Sequence, residues 1–298
     1  VRSRAREQFC AHVGLPADRP FILYVCSALF WGSPVEAEFV LRWLRSVRAS
    51  AHREVREAAV LIRPHPARLE EWQSIDLSSF PNVALYGSNP VDTSSKHDYF
   101  ESLYYSSAIV GLNTSAFLEG AIVGRPIHTV LLPEFHDNQQ GVLHFRYLFD
   151  VGGGVLRAAR TFEDHHDQLR ESLGAPTSFP QHSGESPSSE SDLRPHSRFV
   201  REFVRPHGID TPATPMFCDA IETVLHMPAP AAEPTPVRFV LLRWAMSPVF
   251  RLLRAVYGPE LIRDDWSRKA RDRRQLKEAR LREREDRRRQ KAELHRRR

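Results

Sequence analysis

One stretch, from Ser106 to Leu131, restricts the possible folds of this chain more than any other. It begins with a short apolar run at 108–111, which ends in a polar turn at 112–115. Small residues then favour a helix over 116–123, and Gly124-Arg125-Pro126 ends that helix before a second apolar run begins. This order of apolar run, turn, helix, turn and apolar run predicts a β-α-β unit with parallel strands.

The polar turn before the predicted helix carries residue types that suit a phosphate. Thr114 and Ser115 stand at the start of the helix and can cap it, and Glu119 lies in its second turn. In a parallel sheet such a helix opens at the carboxyl end of the preceding strand, where backbone N–H groups and hydroxyls hold phosphates. We therefore expect a ligand site at this turn.

The rest of the chain alternates between strand and helix patterns. Apolar, β-branched runs predict strands, and amphipathic runs between them predict helices. The predicted strands are 21–28, 58–63, 83–86, 108–111, 127–132 and 155–158, and the predicted helices include 2–13, 35–49, 68–73, 99–106, 116–123 and 162–173. The fold class that follows is α/β, with a doubly wound, Rossmann-like parallel sheet.

Composition divides the chain into four parts. Residues 1–226 form the predicted Rossmann-like domain, interrupted at 174–197 by a Ser-, Pro- and Gly-rich segment that we expect to be a disordered insertion. A Pro- and Ala-rich linker is predicted at 227–237, an amphipathic helix at 238–262 and a charged helical tail at 263–298.

The positive charge of the chain lies in its tail. The formal net charge is +5, but 263–298 holds 17 Lys and Arg against 8 Asp and Glu, whereas 1–262 holds 25 against 29. The overall basicity therefore gives no reason to expect nucleic-acid binding by the domain, and we do not expect nucleic acid as a partner. RNA binding by the tail alone stays open as a minor hypothesis.

The three cysteines indicate a reducing compartment. Cys10, Cys26 and Cys218 are odd in number and lack the spacing of a zinc site, so we expect reduced thiols in a cytoplasmic protein. Neither a signal peptide nor an uninterrupted apolar run of about 18 residues is present in the sequence.

The segment 239–257 is strongly apolar but carries arginines on one side. At 100° per residue, Arg243, Ser247, Arg251 and Arg254 fall within an arc of about 80°. This pattern fits a helix lying in an anionic membrane surface, and it fits equally a helix that packs its apolar face on the domain. The basic tail at 263–298 could add to membrane binding or could simply be solvated.

The predicted strand exits collect the candidate site residues. Arg63 and His65 end the second strand in Arg-Pro-His-Pro, which aims a guanidinium and an imidazole at the crevice. The same tripeptide recurs at 194–196 and 205–207, so it can also be a plain turn. Glu119 is expected either to bind ribose hydroxyls or to be an exposed helix charge. Further candidates at the strand exits are Ser27, Asn113, Thr114, Ser115 and His136, and no metal-ligand cluster stands out.

Three segments together resemble the C-terminal, donor-binding domain of GT-B glycosyltransferases. They are Gly14-Leu15-Pro16 before the strand FILYVCSA, Arg63-Pro64-His65-Pro66, and the run NTSAFLEGAIVGRP from 113 to 126. The nearest resemblance is to the CDP-glycerol glycerophosphotransferase and capsule polysaccharide transferase group. It covers roughly 14–173, with 199–225 as a closing segment.

The resemblance implies a function and roles for particular residues. It implies that His65, Thr114 and Ser115 contact donor phosphates and that Glu119 meets the ribose, with the nucleotide-activated donor as substrate and no further cofactor. It also implies an N-terminal acceptor domain, for which the sequence before Phe21 has no room. We therefore expect that the chain could be a fragment.

Three functional hypotheses follow. The first is a GT-B-like transferase that uses a nucleotide-activated sugar or polyol phosphate in cell-surface polysaccharide synthesis, at the cytoplasmic face of the membrane. In it, Arg63 and His65 neutralise the departing pyrophosphate. The second is a non-catalytic nucleotide-binding or membrane-docking scaffold. The third is an enzyme like the UDP-sugar epimerases, although their DSGG-like turn is replaced here by Leu112-Asn113-Thr114-Ser115.

Overall fold

The computed structural model describes residues 3–30, 32–174, 195–227, 236–253 and 255. These fall into two compact units, one ending at Pro215 and one beginning at Met216. Of the predicted insertion at 174–197, residues 175–194 lie outside the described part, and the residues after them are helical. The predicted tail, 263–298, also lies outside the described residues.

The first unit is built on a six-stranded sheet in which every strand is parallel to its neighbours. The strand order is β3-β2-β1-β4-β5-β6, so β1 to β3 extend the sheet to one side and β4 to β6 extend it to the other, and the strand order reverses between β1 and β4. The strands are β1 (Phe21–Val25), β2 (Ala59–Arg63), β3 (Val83–Leu85), β4 (Ala108–Val110), β5 (Ile127–Val130) and β6 (Leu156–Ala159). The predicted doubly wound parallel sheet is thereby confirmed.

Helices cover both faces of this sheet. In the first unit they are α1 (Arg6–Val13), α2 (Glu36–Arg48), α3 (Arg53–Glu57), α4 (Thr93–Tyr105), α5 (Ala116–Ile122), α6 (Leu143–Asp150), α7 (Phe162–Gly174) and α8 (Pro195–Phe199). Helix α9 (Ala213–His226) crosses the division between the two units, and its residues are exposed. Short 3₁₀ turns occur at Leu69–Trp72, Pro133–Asn138 and Val151–Gly153, and a π-helical turn at Val200–Val204.

The core consists of two apolar layers, one on each face of the sheet. Alternate residues of β1 enter opposite layers, as the two-residue period of a strand requires: Phe21 and Leu23 face one, Ile22 and Tyr24 the other. Apolar side chains from α1, α4, α5 and α6 complete the first layer, and α2, α3 and α7 complete the second. All five residues of β1 and of β2 are buried, which explains why both strands are apolar apart from Arg63 at the end of β2.

Helices α4 and α3 are among those that differ from the predictions. Helix α4 begins at Thr93 and not at 99, because Asp92 and Ser95 cap it there. The Asp92 side chain accepts a hydrogen bond from the Ser95 amide (2.8 Å), and the Ser95 hydroxyl accepts one from the Asp92 amide. Helix α3 was not predicted, since its five residues are too few to show a period. The earlier start of α4 places Tyr99 in the middle of the helix, where it becomes part of the site described below.

In the second unit, residues 237–253 are helical, in agreement with the helix predicted at 238–262 as far as that segment is described. Large apolar side chains on it are exposed, among them Trp244 (81%) and Phe250 (64%). Within the described residues, no helix is both long enough and apolar enough to cross a bilayer. Residues 228–235 of the predicted linker lie outside the described part.

Candidate donor-binding site

A cavity of about 230 Å³ lies at the carboxyl end of the sheet, beside the point where the strand order reverses. Open α/β sheets bind their ligands in this crevice. Exits of β1, β2, β3 and β4 and the first turns of α5 contribute to its wall. The lining residues are Val25, Cys26, Arg63, Pro64, His65, Pro66, Ser88, Asn89, Pro90, Tyr99, Thr114, Ser115, Ala116 and Glu119. Five predicted site residues, Arg63, His65, Thr114, Ser115 and Glu119, are thus brought together.

Arg63, the last residue of β2, is the principal charge in this wall. Its side chain is buried (4% exposed), its guanidinium lies 5.2 Å from the centre of the Tyr99 ring, and Nη2 donates to the Ser88 carbonyl (3.3 Å). Within the part of the chain that the structure describes, its Nη1 has no hydrogen-bond partner. Burial lowers the pKa of Arg63, but an arginine stays charged even so. The cavity wall therefore contains a buried cation, one of whose nitrogens is unpaired among the described residues.

Gly87 makes room for this guanidinium. Its φ of +137° suits glycine, and a Cβ there would lie 2.6 Å from Arg63 Cζ. No real Cβ contact is that short, so a side chain at 87 would displace the guanidinium. The glycine that follows β3 thus leaves the space that the guanidinium of Arg63, the last residue of β2, occupies.

His65 presents a hydrogen-bond donor to the same cavity. Its Nδ1 accepts from the Ala67 amide (3.1 Å), so in the neutral ring the proton is carried by Nε2. Burial, followed by the charge of Arg68, lowers the pKa of His65 below its usual value. Near neutral pH the imidazole is therefore an uncharged N–H donor, suited to a phosphate oxygen.

The opposite wall comes from the start of α5. Thr114 Oγ1 accepts from the Ala116 amide (3.4 Å), whereas the Ser115 side chain, at the N-cap position, accepts no hydrogen bond from the amides of this described helix. Glu119 accepts a hydrogen bond from the Tyr99 hydroxyl. Burial and this bond to Glu119 raise the pKa of Tyr99, so the phenol stays protonated and keeps donating. Glu119 is therefore held in place, with its carboxylate at the cavity wall.

Three other predicted site residues do not line the cavity. Ser27 is buried and its Oγ accepts from the Asn113 amide (3.2 Å), while the Asn113 side chain donates to the Asn138 carbonyl. His136 is exposed and lies beside Asp137, at 3.2 Å. Ser27 and Asn113 thus support the strand exits from behind, and direct donor contacts by these residues and by His136 stay predictions.

Two residues of this region were missed by the sequence analysis. The helix predicted over 99–106 has Tyr99 as its first residue, and the signal that indicates the true start is the cap sequence Asp92-Thr93-Ser94-Ser95. Glu36, the first residue of α2, is buried and accepts from the Ser27 amide (2.6 Å) and the Tyr24 hydroxyl (3.1 Å). Its sequence position, an acid in the first turn of a helix, is too common to single it out.

Among the described residues, no group of three or more His, Cys, Asp or Glu side chains is arranged to hold a metal ion. Cys26 lies in the cavity wall, where burial raises the pKa of its thiol well above the usual value. It is therefore a protonated thiol and not a nucleophile or a metal ligand.

No protein-family model and no curated protein matches the chain, but solved structures do. The wall teichoic acid polymerase TagF matches at 16% identity with a TM-score of 0.36, over 55% of this chain and 36% of the polymerase. The calicheamicin glycosyltransferase CalG4 matches at 17% identity and a TM-score of 0.40, over 72% of this chain and 45% of CalG4.

A third match is the UDP-GlcNAc 2-epimerase of Methanocaldococcus jannaschii, at 14% identity and a TM-score of 0.37, over 66% of this chain and 48% of the epimerase. This chain therefore spans less than half the length of each of these proteins. Glycosyltransferases are among the structural neighbours, as the resemblance in the sequence predicts, and the likeness is one of fold alone.

Proposed function

We propose that this chain is the donor-binding half of a GT-B-like transferase, and that its cavity holds the phosphates of a nucleotide-activated sugar or polyol. The observation that supports this most directly is Arg63, a buried cation at the cavity wall whose Nη1 lacks a partner among the described residues. Burying a charge without an opposite charge is costly. A phosphate bound in the cavity would supply that charge.

In this proposal, Arg63 and His65 act on the leaving group. When the bond between the sugar or polyol and the donor phosphate breaks, negative charge grows on the departing nucleotide. The guanidinium of Arg63 and the Nε2–H of His65 stabilise that charge, aided by Thr114 and Ser115. These side chains, and not a metal ion, carry the neutralisation. Glu119 accepts from the ribose hydroxyls of the donor.

Acceptor recognition and the catalytic base belong, in the same proposal, to a further domain in cis or in trans. The product is then a cell-surface polysaccharide, assembled at the cytoplasmic face of the membrane. The helical residues 237–253 support such a location: they expose Trp244 and Phe250 beside Arg243 and Arg251.

Membrane binding can be measured separately from donor binding. Sedimentation with vesicles of phosphatidylcholine, with and without phosphatidylglycerol, should show binding only to the anionic ones. Replacing Trp244 and Phe250 by Glu should abolish it, whereas Phe217→Glu, at another exposed aromatic (67%), should not. If the double variant still binds anionic vesicles, residues 237–253 do not anchor the protein to the membrane.

The donor site is tested by thermal unfolding of the full chain with UDP, CDP, CMP, GDP or ADP. A nucleotide at about 100 times its dissociation constant adds roughly 2.7 kcal/mol to stability, which gives a measurable rise in Tm. One nucleotide should raise the Tm of the wild type and fail to do so for His65→Ala and Glu119→Ala. His207→Ala, at an exposed histidine, is the matched control. If millimolar nucleotide has no effect on the wild type, the proposal of a donor site is wrong.

Turnover separates the transferase from a nucleotide-binding scaffold. The donor identified by unfolding is incubated with the chain, alone and with a supplied acceptor domain, and release of free nucleotide is followed. Release that is lost in Arg63→Met supports a transferase. Binding without release under both conditions would favour the scaffold.

A further inference from the structure

A buried hydrogen-bond network connects the strand exits behind the cavity. It starts at Glu36 on α2, passes through Ser27 after β1 and reaches Asn113 after β4. Asn138, which follows β5, also belongs to this network. Its carbonyl oxygen accepts a hydrogen bond from the Asn113 side chain, and its Oδ1 accepts one from the Phe30 amide (2.7 Å). The network therefore spans the two sides of the point where the strand order reverses.

Glu36 determines the backbone position at the exit of β1. Its Oε2 accepts from the Ser27 amide at 2.6 Å and its Oε1 from the Tyr24 hydroxyl at 3.1 Å, and the side chain is buried (3% exposed). Burial is the main reason why the pKa of Glu36 is raised to about 8. The carboxyl oxygen facing Ser27 can accept that bond in the protonated and in the ionised form alike.

Ser27 transmits this constraint to the next strand exit. Its Oγ accepts from the Asn113 amide at 3.2 Å, and Asn113 directly precedes Thr114 and Ser115 in the cavity wall. Since Glu36 itself does not line the cavity, any effect on a ligand must pass through the backbone of Ser27 and Asn113.

We propose that Glu36 is a positioning residue for the phosphate cavity, which fixes the turn at Thr114 and Ser115 through Ser27 and Asn113. This inference rests on the proposed function for what the cavity binds, but the path of contacts is a property of the free protein. In this proposal Glu36 determines the geometry of the cavity wall at Thr114 and Ser115. The opposite wall is held by the contact between Arg63 and Tyr99, which does not involve Glu36.

Amide hydrogen exchange of the full chain, followed by NMR, tests the path without any ligand. Exchange at the Asn113 amide should be slow in the wild type and at least about tenfold faster in Glu36→Ala. Glu36→Gln should restore slow exchange, because its amide oxygen can accept from Ser27 while its NH₂ group donates to the Tyr24 oxygen. Glu38→Ala, an exposed glutamate in the same turn, is the matched control.

Titration with inorganic pyrophosphate tests the consequence for binding. Affinity should fall about tenfold in Glu36→Ala, relative to wild type and Glu38→Ala, and return in Glu36→Gln. If the wild type does not bind pyrophosphate, the proposed function fails, and the exchange measurement still decides the role of Glu36. If Glu36→Ala lowers the Tm but leaves Asn113 exchange unchanged, Glu36 only stabilises the fold and the inference is overturned.

Discussion

The guanidinium of Arg63 lies against the ring of Tyr99, 5.2 Å from its centre, and Tyr99 in turn donates its hydroxyl hydrogen to Glu119. One aromatic side chain thus orients both the cation and the carboxylate that face the cavity. Cation–π contacts leave the N–H groups at the edge of the guanidinium available to donate in its own plane. Tyr99 can therefore hold Arg63 without using the donors that a phosphate needs.

Replacing Arg63 by Met should separate stability from binding. Methionine fills a similar volume without a charge, and buried charges replaced by apolar groups often leave stability unchanged or raised. We expect a Tm equal to or above that of the wild type, and complete loss of the nucleotide-induced rise in Tm. Arg53→Met, at an exposed arginine on α3, should change neither. A loss of more than about 2 kcal/mol in urea unfolding would mean that Arg63 stabilises the free protein.

Gly87→Ala should impair binding by displacing the guanidinium. The new Cβ would lie 2.6 Å from Arg63 Cζ, and φ at +137° adds a backbone cost of about 1 kcal/mol. Gly14→Ala is the control, because its φ is +78° and its Cβ would have nothing within 4 Å. Both variants should lose stability, but only Gly87→Ala should lose pyrophosphate affinity in calorimetric titration. Equal affinities would show that the position of Arg63 does not matter.

The sequence was sufficient to predict the sheet and one side of the site. Buried parallel strands are apolar throughout, so β1 and β2 were recognisable, and Arg63 and His65 stand in sequence directly at a strand exit. Neighbouring exits of a parallel sheet meet at one edge, so their meeting with Thr114, Ser115 and Glu119 could be foreseen. This part of the prediction needed only strand order and direction.

The orientation of side chains at those exits could not be predicted. Cys26 lines the cavity and the next residue, Ser27, points into the supporting network, so a shift of one residue decides between the two roles. The contact between Arg63 and Tyr99 joins residues 36 positions apart, and it depends on how α4 packs on the sheet. The residues next to Arg63 or Tyr99 in the sequence therefore do not predict this contact.

Acid should destabilise the fold through His128. This side chain on β5 is fully buried, its Nε2 lies 2.9 Å from Ser172 Oγ, and burial lowers its pKa to about 3, from about 6.5 when unfolded. Between these values the unfolded chain binds more protons, so stability falls as pH falls, by at most about 1.4 kcal/mol per pH unit.

Urea unfolding of the full chain at pH 4.5 to 7 measures this effect. His128→Gln should reduce the slope of stability against pH relative to the wild type. The slope should not vanish, because burial also lowers the pKa of His165, whose ring centre is 6.1 Å away. His207→Gln, at an exposed position, is the control. Identical slopes in His128→Gln and wild type would contradict a buried, neutral His128.

Alkali should destabilise the fold through Glu36, with the opposite sign. Its pKa is about 8 in the folded chain and about 4.5 when unfolded, because burial outweighs the bonds from Ser27 and Tyr24, and the charge of Glu71 adds to the rise. Between these values the folded chain binds more protons. Stability therefore falls as pH rises from about 4.5 towards 8, by at most about 1.4 kcal/mol per pH unit, and this contribution levels off above pH 8.

Glu36→Gln should remove this loss, since an amide keeps the bond to the Ser27 amide and does not ionise. Urea unfolding at pH 6, 7, 8 and 9 should show the variant gaining on the wild type up to about pH 8 and keeping a constant lead above it. Glu38→Gln, on the exposed side of the same turn, should follow the wild type throughout. A constant difference from pH 6 to 9 would mean that Glu36 is already ionised at pH 6, and that the hydrogen bonds from Ser27 and Tyr24 compensate its burial.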